Sequence, residues 1–502
     1  MRLLADHIIT PIGSGATQVL DALMEARTGK YLRDDLTLDE RLIRATQVAL
    51  QKTHVDATAS STLFILSTTK GESLNLITPA RRWAQAFLNT NTPIVVSNAC
   101  TSGVCAQVVA ERMLLTYQHV IVAGADRLTS FIESGFGALH ALASDGCRPF
   151  DSARDGIELG EAVAVMVLGR DEEKDAPWRM VAGSVHNDAN HITGPSRTGE
   201  GSMRCLRDVL SASKGETPAC ISLHGTGTLY NDEMEAQAIH RAGLQDVPVL
   251  GLKGYFGHTL GAAGVLETLV TMYALERGYI PATKGFKHLG TSLPLLVSSA
   301  EREISKQAFI KLLSGFGGVN AAVYWRRDDK IDTSPSAMMP EPIEVAHIEL
   351  DASTSLTSLY RERVGDYPKY FKMDLMARAV FIASELLLQQ EGEERFLSRE
   401  DRAVVIATRS ASLMTDRQYE ATMGDTPSPA LFVYTLPNVP TGEVAIRNHY
   451  MGETMCYVLP DETALMPLIR ATLRGKTTSV LGGWVEVRSK DDYQVKMSIW
   501  KN

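Results

Sequence analysis

No apolar run in this 502-residue chain approaches the roughly 18 residues that cross a bilayer, so no membrane span is expected. The opening Met1-Arg2-Leu3-Leu4-Ala5-Asp6-His7 is charged too early for a secretory leader. Cysteine is scarce: the six thiols are Cys100, Cys105, Cys147, Cys205, Cys220 and Cys456, with no CxxC pair and no zinc spacing. That excludes a disulfide scaffold, predicts no metal site and is simplest in a reducing cytoplasm. Positive charge is not in excess either, with 50 Lys and Arg against 59 Asp and Glu and a net charge of −9. General nucleic-acid binding is thereby excluded, although a local basic patch can still dock an acidic partner.

What is present is a globular composition, 44% hydrophobic and 22% charged, with length for two to four domains. Up to residue 326, short apolar segments alternate with helical ones. Strands are predicted at 62–66, 94–97, 119–123, 162–168, 219–223, 247–251 and 321–325, and helices at 38–51, 104–116, 233–242 and 262–277. This alternation means a layered α/β fold. Charged, Ser- and Pro-bearing sequence without periodicity then predicts a linker over 328–344. From 345 to 502 earlier patterns return weakly: 375–389 is like 38–51, 403–410 like 62–69, and 479–483 like 120–124. The repetition suggests a duplicated unit. Cys100 precedes Gly124 by 24 residues, and the same step back from Gly482 or Gly483 lands on Val458 or Leu459. Cys456 is out of register, so the copy is expected to be catalytically silent; an unrelated α/β tail is the alternative.

Four motifs carry chemistry. Val95-Val96-Ser97-Asn98-Ala99-Cys100-Thr101-Ser102-Gly103 runs a β-branched segment into a thiol just ahead of a helix. Helix-start N–H groups there favour a thiolate and can cradle an oxyanion. A buried cysteine is more often inert packing, so the other motifs decide. His224-Gly225-Thr226-Gly227-Thr228 delivers a histidine to small hydroxyl residues, with Asp232 and Glu235 following on a helix. Lys253 and His258 stand five apart, ahead of the small-residue run Gly261-Ala262-Ala263-Gly264. Ser314-Gly315-Phe316-Gly317-Gly318 is a glycine-rich turn around one aromatic, read as an N–H donor near the thiol with a movable lid.

Taken together, the motifs resemble a β-ketoacyl-[acyl-carrier-protein] synthase of the elongating type, in the thiolase-like superfamily, over about residues 5–326. Ile9-Thr10-Pro11-Ile12-Gly13, Cys147-Arg148-Pro149-Phe150-Asp151, Gly160-Glu161 and the segment from Asp188 to Ser196 extend the likeness in order. The resemblance implies a thiolase-like α/β fold, layered αβαβα from two pseudo-symmetric halves. It makes 1–327 a catalytic domain and 345–502 a smaller α/β domain, a truncated and silent half. It casts Cys100 as nucleophile and His224 and His258 as catalytic histidines, with Lys253 and Glu235 orienting them and Asp232 capping its helix. Thr226 and Thr228 would hold phosphopantetheine, the N–H groups of Cys100 and Phe316 the oxyanion, and Phe316 the gate. No cofactor is implied, because substrates ride on the phosphopantetheine of acyl carrier protein. The implied reaction is decarboxylative Claisen condensation of malonyl-carrier with an acyl group on Cys100, in fatty-acid or polyketide assembly. Implied partners are acyl carrier protein and a second ketosynthase subunit, as homodimer or heterodimer. Arg81, Arg82, Arg204 and Arg207 are candidate carrier contacts.

His258 separates this pattern from relatives that resemble Cys-His-Asn or Cys-His-Cys, including thiolases acting on CoA esters. The alternative reading is a chain-length-factor-like subunit without activity, which the presence of Cys100 opposes. Departures remain. Cys100 follows Thr69 by only 31 positions, shorter than usual, so acyl-chain preference does not carry over. Gly254 and Ser314 differ from many relatives. Residues 437–447 look like the lead-in to a nucleophile strand, yet no nucleophile follows, and the tail is expected to pack on the catalytic domain or its partner. The short pocket region and the tail favour a specialised pathway, such as one making a polyene, pigment or resorcinol lipid.

Overall fold

In the computed structural model, which describes every residue except Ser73, 174–175, 329–340 and Asp425, the apolar segments pair into one continuous sheet. Its strands are β1 (Arg2–Thr10), β2 (Thr62–Ser67), β3 (Ile94–Val96), β4 (His119–Asp126), β5 (Ala162–Gly169), β6 (Trp178–Asn187), β7 (Cys220–Ser222), β8 (Val249–Leu250), β9 (Ala308–Gly315), β10 (Val319–Arg327), β11 (Ile343–Asp351), β12 (Arg402–Thr408), β13 (Thr454–Val458), β14 (Ser479–Ser489) and β15 (Asp492–Lys501). Across the sheet they run β11-β15-β14-β12-β13-β3-β2-β4-β5-β1-β6-β10-β9-β7-β8, with Gly13–Ser14 beside β1.

One five-strand unit recurs three times in that order. Its copies are β3-β2-β4-β5-β1, β8-β7-β9-β10-β6 and β13-β12-β14-β15-β11. In each, the first three strands are parallel and the last two pair antiparallel. The first two copies are the pseudo-symmetric halves; the third lies in the tail. Helices α3 (Ser102–Met113) and α6 (Ala263–Glu276) fill the layer between the first two units. The latter is buried all round from Ala263 to Leu275, as a central helix must be. Gly264 permits the close crossing, because a Cβ there would stand 2.4 Å from the Val104 nitrogen. Outer faces are covered by α1 (Leu38–Leu50), which opens on a Thr37–Glu40 capping box, by α5 (Leu229–Arg241) and, on the third unit, by α7 (Leu375–Leu388). The result is the expected αβαβα layering.

Predicted strands and helices are present with ends moved by a few residues. β1, β6, β9, β13 and β15 lie where no strand was predicted; β9 hides Lys311 within an apolar run. β11 begins at Ile343, inside the predicted linker, whose residues 329–340 lie outside the described ones.

The third unit joins the first through β13 and β3, antiparallel, with Tyr457 opposite Val96 and Val458 opposite Val95. Strand order therefore mirrors itself about this seam. A half-buried Arg112 crosses it to pair with buried Glu453, at 2.6 and 2.7 Å. The register also corrects the internal alignment. Asp126 accepts from Thr68 Oγ1 and from the N–H groups of Thr69, Lys70 and Gly71. Glu486 accepts likewise from Thr408 Oγ1, Arg409 N–H and Ser410 N–H. Trp484 pairs with Ala407 as Gly124 pairs with Ser67. The counterpart of Gly124 is thus Trp484, not Gly482 or Gly483, and because the register matches Val96 with Tyr457, the nucleophile position, four residues on, falls on exposed Asp461 rather than Val458 or Leu459.

Candidate active site

Cys100 occupies a single 3-10 turn, Ala99–Thr101, between β3 and α3. Ala99 is held at φ +51°, a costly conformation outside glycine. Three hydrogen bonds keep it there: Thr101 Oγ1 to the Asn98 carbonyl (2.6 Å), Ser102 Oγ to the Ala99 carbonyl (2.6 Å) and Asn98 N–H to Ser102 Oγ (2.7 Å). The strained turn presents the thiol to a cleft of about 290 Å³, shared with Phe136, His224, Thr226, Thr228, His258 and Phe316. Burial pushes the thiol up to about 12, against the opposing pull of Lys253. Desolvation therefore disfavours the expected thiolate at rest.

The two histidines both come from the second unit, one after β7 and one after β8, and converge. Their ring centroids are 5.1 Å apart, nearly perpendicular at 84°. One ligating atom from each ring and Cys100 Sγ all lie within 4.8 Å of one another. His258 Nδ1 accepts from the Leu260 N–H at 3.3 Å. In a neutral ring this leaves the proton on Nε2, which is buried and has no partner among the described residues. Burial, with Lys253 next in weight, drives both rings well below the ordinary histidine range. They are neutral at physiological pH.

Glu235 does not touch an imidazole. It accepts from the backbone N–H of His224 (2.6 Å) and of Gly225 (2.8 Å), and so fixes the turn that aims His224. Lys253 donates to Glu267 at 2.8 Å, and the other Glu267 oxygen pairs with Lys311 at 2.5 Å. Lys311 in turn donates to the Leu223 carbonyl at 2.9 Å, one residue before His224. Neither Glu267 nor Lys311 was singled out from sequence; a lone charge in an otherwise apolar helix or strand was the available signal. Asp126 was missed too. Besides the loop after β2, it accepts from Gly261 N–H at 2.7 Å, fastening the segment that follows His258.

Thr226 and Thr228 hydroxyls lie 2.9 Å apart on the cleft wall. Phe316 stacks on Phe136 with centroids at 6.5 Å. Asp232 is not a cap, because Thr228 is the N-cap of α5; its carboxylate accepts from Phe150 N–H at 2.7 Å and anchors the Cys147–Asp151 motif. Of the suggested docking arginines, Arg82, Arg204 and Arg207 already pair with Asp39, Glu200 and Glu400 of the same chain.

Residues 56–174 match the family described as beta-ketoacyl synthase, N-terminal domain, and residues 179–287 its C-terminal domain. Over these residues the chain matches the β-ketoacyl synthase family. The 3-oxoacyl-[acyl-carrier-protein] synthase 2 of Vibrio cholerae is 30% identical over 256 residues, 47% of this chain and 62% of that protein. The tetracenomycin polyketide synthase ketoacyl synthase alpha subunit of Streptomyces glaucescens is 32% identical over 256 residues, 46% of this chain and 59% of that one. The chain thus spans about three-fifths of the length of the curated relatives it matches. The solved PfaC keto synthase–chain length factor shares the fold through the tail as well, with TM-score 0.81, 14% identity, and coverage of 100% of this chain and 78% of that one. Among the described residues no helix is long and apolar enough to cross a membrane.

Proposed function

We propose that this chain is a 3-oxoacyl-[acyl-carrier-protein] synthase of fatty-acid or polyketide assembly. Cys100 takes the acyl group from a carrier thioester, its proton leaving to a neighbouring neutral imidazole. Malonyl-carrier then loses CO2, and N–H donors on His224 and His258 stabilise the enolate oxygen. The carbanion attacks the Cys100 thioester and releases the 3-oxoacyl product. Removing one donor from a preorganised site costs about 3–4 kcal/mol, a hundredfold to thousandfold in rate. Convergence of one sulfur and two neutral rings on a shared point carries this reading. The edge of β3 is already taken by β13, so the tail stands where a second subunit would otherwise pair. We read it as a built-in, silent partner for the catalytic domain and not as a second catalyst. The chain-length-factor-like alternative predicts no acylation.

Incubation with an acyl-carrier thioester and mass spectrometry of the Cys100 peptide tests the proposal. Cys100→Ser should abolish acylation, whereas Cys100→Gln should retain malonyl decarboxylation. His258→Ala should lose decarboxylation with acylation largely kept. Failure of the parent chain to acquire an acyl group on Cys100 would overturn the reading.

A further inference from the structure

In the first unit the connection from β2 to β3, residues 68–93, carries one helix, α2 (Ile77–Ala86). The equivalent connection in the third unit, residues 409–453, carries three: Leu413–Glu420, α8 (Pro429–Tyr434) and α9 (Val439–Asn448). The longer version does not stay on its own unit but reaches the glycine loop that carries Phe316.

Asn438, at the start of α9, donates Nδ2 to the Phe316 carbonyl at 2.8 Å. A Cβ on Gly317 would come within 2.5 Å of that amide nitrogen, and a Cβ on Gly442 within 2.4 Å of the Gly317 carbonyl oxygen. Phe432 meets Phe136 edge-on at 5.5 Å, and Phe136 is the ring stacked on Phe316. Asn187 donates to the Gly317 carbonyl at 2.8 Å and to Thr454 Oγ1, in β13, at 3.1 Å. The peptide between Phe316 and Gly317 is thereby pinned at both ends. Its carbonyl is held by Asn438 and its N–H by the Ile192 carbonyl at 2.7 Å. Gly317 and Gly318 have φ of +88° and +73°, so the loop's intrinsic freedom is large and these contacts select one setting.

We infer that Asn438 is a positioning residue for the gate: through it, the tail sets the orientation of Phe316 over Cys100. The purpose of the gate rests on the ketosynthase reading, whereas the contact itself does not. One side of the mirrored pair keeps the long connection because only one site needs it.

The test is Cys100 alkylation by iodoacetamide in the full-length protein, followed by peptide mass spectrometry, which reads access without requiring turnover. Asn438→Ala and Asn438→Leu, which keeps the branched side-chain shape without a donor or a charge, should label Cys100 several-fold faster than the parent. Asn438→Leu should stay folded and change KM for the acyl thioester more than kcat. If Asn438→Ala fails to fold, Asn438→Leu decides. Labelling at or below the parental rate in folded Asn438→Leu overturns the inference, as does its unfolding, which would make Asn438 a folding residue only. Faster labelling in a chain that never accepts an acyl group would leave the gate assignment standing and sink the ketosynthase reading instead.

Discussion

Asn98, two residues before the nucleophile, donates its side-chain amide to the Thr454 carbonyl at 2.9 Å, and its Oδ1 accepts from the Cys456 N–H at 3.2 Å. The turn that carries Cys100 is therefore built partly on the tail. Ending the chain at residue 327 would strip β3 of its antiparallel neighbour and leave Arg112 without Glu453. An exposed apolar strand edge invites pairing with other chains. The truncated form is expected to aggregate or self-associate and to lose Cys100 acylation. Size-exclusion chromatography with light scattering would check this, and a monomeric truncation with parental acylation would contradict it.

Glu267 sits between two lysines, and all three are buried. Burial alone would raise its carboxyl, but Lys253 and Lys311 outweigh that and hold it below the ordinary range. Glu267→Gln leaves two buried ammonium groups facing a neutral amide. Breaking a buried pair in this way costs about 3–5 kcal/mol. Denaturant unfolding should show that loss. Lys311→Met should be milder, since Lys253 still pairs with Glu267.

The two lowered histidines give stability a definite pH dependence. Each is neutral when folded, but in the unfolded chain it binds a proton below about pH 6.5. The unfolded state therefore holds more protons between the folded value and pH 6.5, and stability is lost as pH falls through that window. His258→Gln should flatten the acid limb of an unfolding series between pH 7 and 5. For Cys100, with its thiol near 12, the alkylation rate should climb about tenfold per unit from pH 7 to 9.5 without a plateau. A plateau near neutrality would mean that the thiolate is stabilised by a group not accounted for.

How far the sequence reaches is clear from particular residues. Cys100, His224, Lys253 and His258 were legible because each ends an apolar segment or precedes a small-residue helix, a local signal. Glu267 and Lys311 were not, because their meaning lies in a contact between segments 44 residues apart. Asp232 was assigned to a helix cap because its neighbours in sequence suggested one, whereas its partner is Phe150, 82 residues away. The tail was legible as a repeat from its strand and helix patterns. Its register was not, since the glycines used to align it belong to different strand positions from Gly124. Asn438 has no local sign of a contact with Phe316; that contact exists only once the third unit is folded against the β9–β10 loop of the second.

The tail also packs behind the wall of the cleft, where Phe432 meets Phe136. A Cβ on Gly135 would lie 2.0 Å from the Phe432 ring. Gly135→Ala should therefore destabilise the protein, and Phe432→Ala in the same chain should relieve much of that loss. A double-mutant cycle by thermal unfolding measures the coupling, expected at about 0.5–3 kcal/mol for residues in contact. Additive effects would show that the two helices yield independently.

At the outer rim of the tail β11 has one side unpaired among the described residues, and along it stand Glu344, Glu349 and Asp351 beside exposed Ile343 and Val345. Two such rims brought together would set carboxylate against carboxylate. Like charge along the rim opposes head-to-head lamination of neighbouring molecules. The acidic residues of β11 thus act against further strand addition at that rim.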